Sequence, residues 1–86
     1  MGAPLLSVVI PARGRQDDLD RAVRSVAGEQ VDLEIIVVDD ASPDPLVLPG
    51  ELAGDKRLRL VARQANGGAG AARNTGLAMA RGRLVT

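Results

Sequence analysis

Glu34-Ile35-Ile36-Val37-Val38-Asp39-Asp40-Ala41-Ser42-Pro43-Asp44 decides the fold of this 86-residue chain. Four β-branched residues in a row, without polar alternation, describe a strand covered on both faces, the condition of a strand inside a parallel sheet. The run then breaks into two adjacent carboxylates and a turn. Open α/β sheets bind ligands in the crevice beyond the carboxyl ends of their strands. Asp39 and Asp40 therefore stand at a potential site. Neighbouring side chains on a strand point to opposite faces, so one faces the crevice and the other an adjacent loop or helix end. Ser7-Val8-Val9-Ile10-Pro11-Ala12-Arg13 is a second buried-strand pattern that also stops in a turn, so two strand ends can face one ligand.

Outward from these two strands, the chain alternates between the periods of strand and helix. Residues 5–10 are the first strand, ended by Pro11 and Gly14. Asp17 is placed to cap a helix over 18–27, in which Leu19, Ala22, Val23 and Val26 recur on one face and Gly28 supplies a left-handed stop. The second strand covers 34–39. Pro43, Pro45, Pro49, Gly50 and Gly54 mark a loop, with one short helical turn near 49–53, as the segment with most freedom. Leu58, Leu60 and Val61 form a third strand, an edge strand whose alternating Arg57, Arg59 and Arg63 read as solvated. After the turn Asn66-Gly67-Gly68-Ala69-Gly70, a helix from Ala69 to Arg81 carries the small-residue face Ala72, Gly76, Met79 and Ala80. Gly82 ends it, and Arg83 to Thr86 begin a fourth strand. Strands alternating with helices imply right-handed crossovers: a three-layer, Rossmann-like parallel sheet in the order 3-2-1-4, with helices on both faces and the pattern stopping just as the fourth strand starts.

Composition narrows the functions open to this single domain. The chain has no histidine and no cysteine. The usual zinc ligand and the usual general base are thus missing, which argues against a zinc site and a hydrolytic triad, and no disulfide contributes to stability. There is also no Phe, Trp or Tyr. The core must then be built from aliphatic residues, and no ring can stack on a base, which disfavours single-stranded nucleic acid as a partner. No apolar run approaches the ~20 residues of a membrane span, and no basic region leads into a long apolar stretch, so the expected compartment is the cytoplasm. Net charge is zero, but residues 1–55 hold four basic and all eleven acidic groups while residues 56–86 hold seven basic and none acidic. The two halves either attract one another across the fold, or divide a ligand between them, phosphate on the basic side and base or cation on the acidic side.

Two motifs compete for the site. Paired acids at a strand end also occur in magnesium-binding receiver domains, but these need a third carboxylate on the next strand, and no acid follows Asp55. Alternatively, Asp39 or Ser42 simply caps the following turn. Gly68-Ala69-Gly70 after a strand resembles a dinucleotide fingerprint, yet the sixth position is Arg73 and no downstream acid can hold a ribose. What remains is physical. Gly68 permits close backbone approach, and a helix N-terminus with Arg73 on its first turn suits an anion such as a diphosphate. The competing reading is a tight turn with a solvent-facing arginine.

Four blocks in register, Ser7 to Arg15, Leu19 to Val26, Glu34 to Ser42 and Gly70 to Gly82, resemble the N-terminal part of the family 2 inverting nucleotide-sugar glycosyltransferases of the GT-A fold. The resemblance implies a base pocket lined by Pro11, Ala12 and Arg13, with Asp40 accepting the imide N–H of uracil, Asp39 supporting the same wall and Arg73 near the nucleotide. The family often has an aromatic residue and then Asn where this chain has Arg13 and Gly14, which substitutes a guanidinium for a ring. By the same resemblance, residues 1–86 form one nucleotide-binding subdomain of a longer enzyme. Its divalent metal (Mg or Mn), held by an Asp-x-Asp motif, and its catalytic base lie beyond Thr86, and membrane association is left to that longer protein. The partner would be a UDP-sugar, and an exposed fourth strand favours a homo-oligomer. The rival reading is a non-catalytic nucleotide-binding or assembly module.

Overall fold

The computed structural model describes residues 4–86. Its centre is β2, Leu33–Asp39, buried at all seven positions because it is paired on both edges and covered on both faces. On one side lies β1, Leu6–Ala12, in parallel register from Leu6 opposite Leu33 to Ala12 opposite Asp39. On the other lies β3, Leu58–Ala62, parallel from Ile35 opposite Leu58 to Asp39 opposite Ala62. A two-residue β4, Leu84–Val85, pairs in parallel with β1 and completes the order β3-β2-β1-β4. Both the order and the direction of the strands are those expected from the alternating pattern.

Strand alternation divides the core in two. Ile35 and Val37 face one layer with Leu19 and Val23 of α1, Gln16–Ala27. Ile36 and Val38 face the other with Ala72 of α2, Gly68–Met79. The chain leaves β1 through α1 toward β2 and β3, then returns through α2 to β4 on the far side of β1. The reversal of winding therefore falls at β1, the position where open sheets carry ligands.

Close approach explains two glycines. A Cβ on Gly76 would collide with the Val9 side chain and stand 3.3 Å from a Val38 methyl. The second helix lies flat on the sheet only because that position is bare. Gly82 is similar: a Cβ there would stand 2.6 Å from the Ser7 nitrogen. It does not end α2. The helix stops at Met79, and Ala80 is already extended with ψ 136°. Two other expected boundaries also move. Helix α1 opens at Gln16 with no side-chain cap, which puts Asp17 inside its first turn. There a carboxylate still favours the helix dipole. Gly28 has φ −76°, right-handed rather than left-handed.

The 43–55 segment is better tied than its prolines and glycines suggest. Leu46 inserts into the α1-side core. Gln16 clamps Val47 from both sides, its Nε2 donating to the Val47 carbonyl at 2.8 Å and its Oε1 accepting the Val47 N–H at 3.0 Å. A 3₁₀ turn, Gly50–Leu52, brings Glu51 to Arg24 at 2.7 Å. The arginines around β3 are likewise engaged. Arg57 pairs with Asp55 at 2.8 Å, Arg59 with Glu34 at 3.0 Å and Arg63 with Asp40 at 2.8 Å, so they are not simply solvated.

Candidate functional site

The two carboxylates at the end of β2 diverge, as alternation requires. Asp39 continues the α1-side row. Its Oδ1 accepts the Ser42 N–H at 3.0 Å and the Ser42 hydroxyl at 2.6 Å, and its Oδ2 accepts the Leu46 N–H at 3.0 Å. Ser42 Oγ in turn accepts the Gly14 N–H at 2.7 Å, which fastens the β1–α1 turn to the same carboxylate. Burial pushes the Asp39 carboxyl up, but these hydrogen bonds and the charge of Arg13 outweigh it and hold the group below the usual carboxylate range. Asp39 organises two loops, and both of its oxygens are engaged in doing so. Of the two readings open for it, turn capping is the one realised.

Asp40 turns to the α2 side. Arg63 Nε donates to its Oδ1 at 2.8 Å, the Gly68 N–H donates to its Oδ2 at 2.8 Å, and the Gly67 N–H is shared between both oxygens at 3.2 Å. The carboxylate thus caps α2 from a neighbouring strand and absorbs the N–H groups that sequence alone offered to a diphosphate. Gly68 can serve because its φ of +85° is open to glycine without strain. Burial again pushes this carboxyl up, and the Gly67, Gly68 and Arg63 hydrogen bonds more than offset it, so Asp40 is ionised well below neutrality. Two carboxylate oxygens offer about four acceptor positions. Three donors make four contacts with them, two on each oxygen, and the long one that Gly67 shares between both is the one an outside donor could displace.

The next residue, Ala41, has φ 59°, in the left-handed region. A non-glycine residue there costs roughly 1–2 kcal/mol. Strain therefore sits at the bend between the end of β2 and the loop that Asp39 folds.

A cleft of about 150 Å³ opens beside Asp40, lined by Pro11, Ala12, Arg13, Asp40, Asn66, Gly68, Ala69 and Ala72. Of the residues singled out from sequence, Pro11, Ala12, Arg13, Asp40 and Gly68 converge here. Asp39 faces the other side of the sheet. Arg73 is exposed in the second turn of α2 and does not line the cleft. A larger hollow of about 290 Å³ lies across β1 on the α1 side, between Pro11 to Arg13 and Arg15, Asp18, Leu19 and Ala22. On its rim Asp18 is shared by Arg15 at 2.7 Å and Arg21 at 2.6 Å. The carboxylate that lines it, Asp18, is exposed and not buried like Asp40, so the smaller cleft is the better candidate despite its size.

Sequence reasoning missed Arg63 and Asn66 here, and Glu34 elsewhere. A signal for Arg63 existed in the register: if Asp39 lies opposite Ala62, the next pair is Asp40 and Arg63. Glu34 sits at the other end of β2 and is 3 % exposed. It accepts from Ser7 Oγ at 2.5 Å, the Arg81 N–H at 2.6 Å and Arg59 at 3.0 Å. Burial pushes this carboxyl up, and the hydrogen bonds and positive charges around it bring it below its ordinary value. The network fastens the exit of α2 to the sheet, remote from the cleft.

These residues do not fit a divalent cation. Asp39 and Asp40 point to opposite faces, both are occupied by N–H or O–H donors, and no group of three metal-ligating side chains exists among the described residues.

Comparison with known proteins bears on the family of the chain and its fold. A family profile described as Glycosyl transferase family 2 matches residues 7–86. The succinoglycan biosynthesis protein ExoO of Rhizobium meliloti (strain 1021) is 40 % identical over 83 residues, covering 95 % of this chain and 24 % of that protein. The uncharacterized glycosyltransferase EpsJ of Bacillus subtilis (strain 168) is 36 % identical over 88 residues, 95 % of this chain and 24 % of its own length. The Escherichia coli chondroitin synthase is 35 % identical over 82 residues, 92 % of this chain and 12 % of its own. The chain thus spans about a quarter, or less, of the length of these relatives.

Proposed function

This chain belongs to glycosyl transferase family 2, and on that premise we propose that it is the part of a transferase that binds the nucleotide of a nucleotide-sugar donor, with uridine as the preferred nucleoside. The observation that supports this reading most is the convergence of Pro11, Ala12, Arg13 and Gly68 on one cleft around an ionised Asp40. A carboxylate can only accept hydrogen bonds, so it matches the N3–H of uracil and opposes cytosine, whose N3 is an acceptor. Arg13, exposed at the rim, would lie against the base or its phosphates, and Arg73 would approach the nucleotide from the outer face of α2. In the complete enzyme an acceptor hydroxyl oxygen would form a bond to the anomeric carbon as its bond to the diphosphate breaks, with inversion, and the acceptor proton would pass to a base.

None of Glu34, Asp39 or Asp40 suits that base, because each is held below the usual carboxylate range by several donors. The Mg or Mn ion that the family resemblance implies finds no fitting residues among those described, so no step is assigned to it. The 86 residues are accordingly proposed to bind the donor and not to transfer its sugar. No helix among the described residues is long and apolar enough to cross a membrane.

Titration with UDP and CDP, followed by amide NMR, tests this directly. UDP should shift Ala12, Arg13, Asp40, Gly67 and Gly68, and CDP should bind at least about tenfold more weakly, the equivalent of ~1.4 kcal/mol. Equal response to both nucleotides, or UDP shifts confined to residues 43–55, would refute the assignment.

A further inference from the structure

Arg63 reaches the site from the end of β3 and belongs to none of the resembling blocks. Its Nε donates to Asp40 Oδ1 at 2.8 Å. Its Nη1 donates to Thr75 Oγ1 at 2.6 Å and to the Ala71 carbonyl at 3.3 Å, both on α2. Thr75 Oγ1 donates onward to the same Ala71 carbonyl at 3.1 Å. The guanidinium is therefore held on α2 with one N–H aimed at the carboxylate. The turn makes room for it: a Cβ on Gly67 would stand 2.8 Å from Arg63 Nη2.

We propose that Arg63 is the positioning residue of this site: anchored on Thr75 and Ala71, it fixes the orientation of the Asp40 carboxylate, so that a ligand N–H meets it where the long, shared Gly67 contact can give way. The consequence for binding rests on the base-recognition role given above to Asp40. A planar fork spanning two partners in fixed geometry is something lysine, a single flexible point charge, cannot supply. Without the fork the carboxylate keeps only the two glycine N–H donors and can rotate toward them, and selection between a donor and an acceptor on the ligand is lost. Charge acts in the same direction. The groups facing Asp40 are Arg63 from β3, the Gly67 and Gly68 N–H groups from the turn, and Arg13 across the cleft. No other carboxylate lines the cleft.

The experiment compares the chain with Arg63→Met, Arg63→Lys and Thr75→Val. In the unliganded proteins, the titration midpoint of the Asp40 carboxyl carbon is read by NMR. It should move to higher pH in Arg63→Met, less in Arg63→Lys and least in Thr75→Val. In the nucleotide titrations, Arg63→Met should lose tenfold or more in UDP affinity with little change for CDP, so that base preference collapses, an effect a purely structural role would not have. Should Arg63→Met fail to fold, Arg63→Lys carries the decision. An unmoved Asp40 midpoint together with an unchanged UDP to CDP ratio in a folded variant overturns the proposal. If the unaltered chain itself does not discriminate UDP from CDP while the Asp40 midpoint still responds to Arg63, the base-recognition reading fails and the positioning of Asp40 by Arg63 stands.

Discussion

Two glycines of the same helix should respond to the same substitution with opposite sign. Gly70 has nothing within 4 Å of a hypothetical Cβ. Alanine there gains helix propensity and restricts the unfolded chain, so Gly70→Ala should stabilise by about 0.4–1 kcal/mol. Gly76→Ala has the same propensity gain but drives a methyl into Val9 and crowds Val38. Overpacking costs typically ~1–3 kcal/mol, so the net effect should be destabilisation of the order of 1 kcal/mol. Urea melts of the two variants check this; a stabilised Gly76→Ala would show that α2 can lift from the sheet at little cost. At the same scale, Ala41→Gly should relieve the left-handed strain after Asp40. It should be neutral or slightly stabilising, against the usual loss when glycine replaces alanine, because the strain removed and the added unfolded-state entropy are both of order 1 kcal/mol.

At the scale of elements, the loop over 43–55 is where composition misleads. Prolines and glycines indicate freedom, yet Leu46, only 5 % exposed, is a core residue carried on that loop. Leu46→Ala should cost about 2–4 kcal/mol and raise hydrogen exchange across 42–48, because the Asp39 and Gln16 bonds then lose the packing that orients them. A cost below ~1 kcal/mol would show that the loop is secondary to the core. This contrast explains what could be read from sequence. The four strands, their order and the two faces were legible because β-branched runs and helical periodicity are local signals. The ends of α2 were not, because its start is set by a carboxylate from β2 and its exit by Glu34 and the contact of Gly82 with β1. The site divided in the same way. Asp40 and Pro11 to Arg13 stood out at strand ends, whereas Arg63 looked like one of three solvated edge arginines until the β2–β3 register set it beside Asp40.

For the whole molecule, the division of charge resolves mainly into internal attraction. Arg57 meets Asp55, Arg59 and Arg81 meet Glu34, and Arg63 meets Asp40, so among the described residues four ion pairs join the basic part of the sequence to the acidic part. Three buried carboxylates, Glu34, Asp39 and Asp40, all have folded-state values below their ordinary ones. The unfolded chain then binds more protons than the folded one in the acid range, so stability rises with pH there. It should be fully present above the unfolded carboxylate values of about 4 and be lost as pH falls through the lower folded values. Denaturant midpoints should be flat from pH 5 to 7 and drop below pH 4; a midpoint insensitive to acid would mean these carboxylates are not held as the geometry indicates.

The exposed edge of the sheet bears on assembly. Among the described residues, strand β4 pairs only with β1, and its two residues are open to solvent, Leu84 at 61 % and Val85 at 42 %. Leu5 and Leu77 add further exposed apolar surface, each 43 % accessible. A short strand edge with unpaired backbone groups and apolar side chains is a template for another strand. A domain of this size buries only a little over ~60 % of its unfolded surface, so its own reserve of stability is small. Covering a further few hundred Å² of apolar area would contribute several kcal/mol at roughly 25 cal/mol per Å², from which the entropy of association is subtracted. We therefore expect the 86-residue chain to self-associate at micromolar concentration through residues 77–86. Light scattering should report a mass above the monomer that rises with concentration, and the pair of substitutions Leu84→Lys and Val85→Lys should restore the monomer, since lysines on an edge strand oppose pairing. A folded monomer that persists as concentration rises would show that this short edge is tolerated as it stands, and association unaffected by the lysine pair would move the contact to the other edge, along β3.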